Sequence, residues 1–226
     1  MYTAKVRLAI QCALLTTLTL FGGILLGIVA GNAVFNALPG HDLAHLSVVN
    51  VAVSAVPALA GLVLGSGLWG LLVGRLAQAT NRRRMALAGL LGFAPATILL
   101  AIALQFLEPL VLKIAGDQYP IYRLFTFLFV PTAFLIAGIS AWAIGLGLQG
   151  KQFAWTLLLR VGMIAGLAFL ALNLLMESLG WRVGAPGAAE RFTMLTVMFV
   201  GDLGAALAGG SALGWLLAEE YSAVAA

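Results

Sequence analysis

Apolar residues fill six long stretches of this chain, each about 25 residues, and the charged residues gather in the short breaks between them. A helix rises 1.5 Å per residue, so about 20 apolar residues cross a hydrocarbon core of about 30 Å. The pattern predicts helices over about 6–36, 47–79, 85–114, 121–149, 152–179 and 191–218, with boundaries good to about four residues. The expected fold is all-α: a polytopic integral membrane protein, one domain over 1–226, built as a bundle of six transmembrane helices.

Composition fits that medium, with 62% hydrophobic and 9% charged residues, where an average soluble domain carries about 25% charged. A water-soluble fold is excluded. The first apolar stretch is too long for a secretory signal and runs on to Gly31-Asn32-Ala33, so it is expected to persist as an uncleaved helix. The net charge of +4 is small and spread over loops, which points to anionic lipid headgroups as the basic residues' partner and away from nucleic acid. Lys5, Arg7, Arg75, Arg82, Arg83, Arg84 and Lys151 fall on one side of the membrane, against Lys113, Arg123, Arg182 and Arg191 on the other. That asymmetry predicts both termini in the cytoplasm, in a bacterial cytoplasmic (inner) membrane. Tyr2, Trp69, Trp142, Trp155, Trp215 and Tyr221 cluster near the same expected interface, and Tyr119, Tyr122 and Trp181 near the opposite one.

Small residues carry the packing signal. Gly23, Gly27 and Gly31 form a four-residue ladder on the first helix, and Gly61/Gly65, Gly70/Gly74, Gly162/Gly166 and Gly210/Gly214 repeat that spacing. Residues four apart share a helix face, where missing side chains let two backbones approach closely. Such faces serve contact within the bundle, a subunit interface or a solute path. Pro57, Pro95 and Pro131 lie inside helices two, three and four, where each removes a backbone hydrogen bond and favours a kink.

Asp202 near the middle of helix six and Arg160 about 12 Å into helix five are the ionisable residues deepest in apolar surroundings. Such groups are costly in lipid and normally face a bundle interior or a water-filled cavity. They read as a structural ion pair or a snorkelling Arg160, or else as a carboxylate at Asp202 coupled to a proton or a substrate. Gln105 and Glu108 on helix three, with Asn173 and Glu177 on helix five, form an outer polar set, placed to line a vestibule or to mark where the helices leave the hydrocarbon. His41 and His45 have a spacing that lets two imidazoles share a metal, yet no third histidine joins them, so no metal site is expected. The basic loop with Arg75, Arg82, Arg83 and Arg84 is expected to brace the cytoplasmic face.

The lone Cys12 permits no internal disulfide, and no cofactor is expected: no histidine for haem lies within the apolar stretches. Nucleophile elbows, zinc-protease helices, Walker loops and Cys-x-x-Cys pairs are all missing, which argues against an enzyme. The segment Gly74-Arg75-Leu76-Ala77-Gln78-Ala79-Thr80-Asn81-Arg82-Arg83 resembles the Gly-x-Leu-Ala-Asp-Arg-x-Gly-Arg-Arg loop of the major facilitator superfamily. Gln78, Ala79 and Asn81 replace that motif's Asp, Arg and second Gly, and no family assignment rests on it. Two functions remain: transport of a small or amphipathic solute, as a permease or permease subunit, or a non-catalytic accessory role in a larger membrane complex. The expected partners are the lipid bilayer and either further copies of the chain or other membrane subunits.

Overall fold

The computed structural model describes residues 2–37, 48–115, 121–148, 150–179 and 190–224, though not every side chain near the helix ends farthest from the termini. The helices are α1 (Tyr2–Thr16), α2 (Gly22–Ala37), α3 (Val48–Leu76), α4 (Arg82–Ala115), α5 (Ile121–Leu148), α6 (Lys151–Ser178) and α7 (Glu190–Val224). A π-helical turn, Thr17–Phe21, joins α1 to α2 and makes them one span. Six spans among the described residues are long and apolar enough to cross a membrane, and the protein is an integral membrane protein. Leu26 and Leu64 are each 72% exposed and Phe106 77%, an outer surface that only lipid can cover at low cost. His41 and His45 lie outside the described residues.

The spans form a ring in chain order. Each packs on the next, from the first span to α3, α4, α5, α6 and α7, and α7 closes the circle against α1. The first span changes neighbour along its length: α1 lies on α7, whereas α2 lies on α3, and α2 and α7 have no backbone approach among the described residues. Its switch point is the π turn, where the sequence had predicted one unbroken helix. The hydroxyl of Thr19 donates to the Leu15 carbonyl at 2.6 Å, a local competitor for the helical ladder, and the ladder widens there.

Glycine sets how close the helices come. A Cβ added at Gly23 would stand 2.7 Å from the Gly61 carbonyl oxygen, and one at Gly27 2.8 Å from the Ala58 Cα, so α2 and α3 touch backbone to backbone. On the other flank, Gly210 faces Cys12 and Ala13, and Gly214 faces Leu8 and Ala9, which seats α7 on α1. Gly31 is also buried on α2. Cys12 itself is fully buried, packed in the core at that end.

Two short turns tie the end that carries the termini. Beyond Leu76, Gln78 takes a left-handed φ of 50° and the Ala79 amide returns to the Gly74 carbonyl at 2.8 Å, closing α3 as a Schellman-type cap. Arg75 stands in the last turn of α3, and Arg82, Arg83 and Arg84 open α4, so the basic group expected in a loop is helical instead. The Asn81 side chain caps α4 by accepting from the Arg84 amide at 3.0 Å, which lets the helix begin inside the charged run. Arg84 also reaches the Leu146 carbonyl at 2.8 Å and so binds the final turn of α5. Between α5 and α6, Gly150 has φ 107° and accepts from the Ala154 amide at 3.2 Å. Gly150→Ala forces a side chain into a left-handed conformation and is expected to cost about 1 kcal/mol, read as a lower melting temperature in detergent.

Where first and last spans meet, Lys5 lies 3.5 Å from Glu219 and 5.6 Å above the Trp215 ring, while Trp215 Nε1 donates to Glu219 at 2.8 Å. Partly exposed, the pair adds little energy by itself. It keeps the ring's closing seam in register.

Candidate functional site: a central apolar cavity with one carboxylate

Six helices in a ring, with neighbouring axes about 8–10 Å apart, leave space along the axis unless large side chains fill it. Here they do not. The inner face of α5 offers Ala133, Ala137, Ser140 and Ala141, and that of α7 offers Ala205, Ala206, Gly209 and Gly210. The result is a cavity of about 400 Å³ to which all six spans contribute, within the usual size range of small-molecule sites.

One end of the cavity is closed. Trp69, buried on α3, donates from Nε1 to Thr16 Oγ1 at 3.0 Å and forms its floor. Beneath it Cys12, Val73, Met85, Ile144, Leu157, Leu213 and Leu217 pack into the main core toward the termini. Polar groups on the wall are few: Thr16 is used by Trp69, Ser140 donates to the Ile136 carbonyl, and Thr97 adds a hydroxyl from α4.

Among the described residues Asp202 is the one charged side chain on that lining. It is exposed, as are the neighbouring cavity residues Leu25, Ile28 and Phe199, so the cavity is open where α2 and α7 stand apart. Across this opening Phe21 meets Phe199 edge to face, with ring centroids 5.3 Å apart.

The pairing of Asp202 with Arg160, which the sequence left open, is not formed. Contacts of Gly209 with Ala165 and Val161, and of Gly201 with Phe169 and Asn173, fix the antiparallel register of α6 and α7. Asp202 therefore stands level with about residue 171, and Arg160 lies about 15 Å away along the helix axis. Arg160 is moreover on the exposed face of α6 with Met163, Ile164 and Leu167. That placement fits snorkelling toward the headgroups at the Lys151 end. Among the described residues the ion pair present is Lys5 with Glu219.

Asn173 belongs near the acid instead. Only 8% exposed, it donates to the Phe169 carbonyl at 2.8 Å, and its amide lies against Gly201, the residue before Asp202. The side-chain surroundings of Gln105, Glu108 and Glu177, the rest of the outer polar set, lie outside the described residues. Among the described residues no group of three potential metal-ligating side chains occurs.

Against family models, curated proteins and solved structures, the chain has no match. Reasoning from sequence missed Phe21 and Phe199 as wall residues, because apolar side chains facing a cavity and facing lipid look alike; it placed Trp69 at the membrane interface, where the structure buries it against Thr16, and did not single out Thr97. The run of small residues on α5, spaced at 133, 137, 140 and 141, was the available signal.

Proposed function

We propose that the protein is a transporter, or the solute-carrying subunit of a permease, for a small or amphipathic solute in a bacterial cytoplasmic membrane. The observation that carries this reading is the axial cavity, walled by every span, closed by core packing toward the termini and bearing one carboxylate. Packing alone gives no reason to leave such a space: each unfilled site costs stability. In this reading both termini face the cytoplasm, supported by the arginines and lysines gathered at that end. The cavity then stands shut toward the cytoplasm. Asp202 binds a cation or exchanges a proton as the solute passes.

An accessory role drew on glycine faces as stripes for a partner. Gly23, Gly27, Gly61, Gly65, Gly210 and Gly214 are all taken up by contacts inside the ring, which favours the transport reading.

Reconstitution tests it. Ala206→Phe adds a ring to the cavity wall, at a position that closes no helix contact seen here. Solute uptake into proteoliposomes is expected for the wild type and is expected to fall to the level of empty vesicles in the variant, with unchanged helical content. Equal uptake by the two proteins, or stable stoichiometric partners after mild detergent with no uptake, would overturn the transport reading.

A further inference from the structure

Asp202 sits in surroundings that select among possible ligands. A bare metal cation seeks six or more oxygens, and here one carboxylate faces a wall that is otherwise nearly all apolar: among the described residues the Thr16 and Ser140 hydroxyls are engaged and Thr97 adds a single unpaired one, far short of a coordination shell. An anion would meet a like charge. A neutral hydrocarbon would leave the carboxylate without a partner in an apolar cavity, a costly arrangement.

Aromatic rings complete the selection. Phe199 precedes Asp202 by three residues and so shares its helix face, and Phe21 stands against it across the opening. A carboxylate beside aromatic faces is the setting that holds an ammonium group, through charge-assisted hydrogen bonds and cation–π attraction. The remaining apolar volume takes a hydrocarbon body.

Access is sideways. Among the described residues α2 and α7 have no backbone approach, and the cavity residues between them, Leu25, Ile28 and Phe199, are exposed on the surface that faces lipid. We infer that the cavity binds a lipophilic amine, one protonated nitrogen on an apolar body, admitted from the bilayer between α2 and α7 past the Phe21 and Phe199 rings. Calling that amine the cargo rests on the transport reading; binding does not.

The test measures binding of decylammonium and of neutral decanol to the full chain in phosphatidylcholine nanodiscs, by calorimetry. Wild type is expected to prefer the amine by at least about tenfold, Asp202→Glu to keep the preference, and Asp202→Asn to lose it while still binding decanol, which also shows the variant folded. No amine preference in wild type, or one that survives in Asp202→Asn, overturns the assignment. Weaker decylammonium binding in phosphatidylethanolamine discs assigns the amine to a lipid headgroup, and unchanged binding assigns it to a free amphiphile.

For the route, Phe21→Cys with Phe199→Cys in a Cys12→Ser background is joined by a short bismaleimide. Association of decylammonium is expected to slow on cross-linking, and an unchanged rate rules out passage between α2 and α7. Amine binding without uptake sinks transport alone; uptake without amine preference sinks this inference alone.

Discussion

Gly61→Leu is expected to prevent recovery of a monodisperse protein from detergent, whereas Gly22→Ala is expected to leave yield and melting temperature unchanged. The contrast follows from what each new side chain would meet. At Gly61 a Cβ runs into the Gly23 carbonyl oxygen and stands 2.9 Å from the Gly27 Cα, both backbone, so no rotamer change relieves it. Even one carbon must push α2 off α3. Overpacking in a well-filled interior costs about 1–3 kcal/mol where side chains can yield, and more is expected where only backbone can move. Total stability is about 5–15 kcal/mol, so Leu at this site takes a large share of it. Gly22 has open space within 4 Å of its Cβ position and tests whether loss of glycine by itself matters. Size-exclusion profiles of the two variants decide the point, and a well-behaved Gly61→Leu protein would show that α2 and α3 do not meet as described.

The medium and the number of spans were legible because both depend on long-range averages of hydropathy, which need no knowledge of contacts. Helix ends follow less closely: α6 runs over Lys151–Ser178 where 152–179 was expected, whereas α7 runs on to Val224 where an end at 218 was expected. Contacts are another matter. Spacing alone placed Gly210 and Gly214 on one face of α7, yet nothing in it could say that the facing residues are Cys12, Ala13, Leu8 and Ala9. The relation of Asp202 to Arg160 shows the limit most clearly. Depth counted from helix ends left pairing open, whereas the register between α6 and α7, set by which small residue meets which neighbour, separates them. At a local π turn, Thr17–Phe21, the first span leaves α7 for α3, and no hydropathy pattern marks that departure. The opening of the cavity depends on that departure.

Asp202→Asn is the second large effect, and it falls on function rather than on folding. The two side chains have nearly equal volume, and among the described residues Asp202 takes part in no ion pair, so no partner is stranded by the change. Removing a charge from an apolar cavity relieves a desolvation cost, and the melting temperature in the absence of solute is expected to stay equal or rise. On the transport reading, uptake is expected to stop. If the carboxylate holds a cation or a proton during passage, asparagine supplies neither the charge nor the exchangeable site, and uptake falls to the level of protein-free vesicles. Asp202→Glu keeps the charge on a longer arm and is expected to retain measurable uptake, which separates the need for charge from the need for shape. Arg160→Gln serves as the opposing control: about 15 Å from the acid along the helix axis and turned to the outer face of α6, it is expected to leave uptake near the wild-type rate. Full uptake by Asp202→Asn would leave the cavity without its assigned chemistry, and a loss in Arg160→Gln equal to that in Asp202→Asn would mean that the two residues act together in a state with a different helix register.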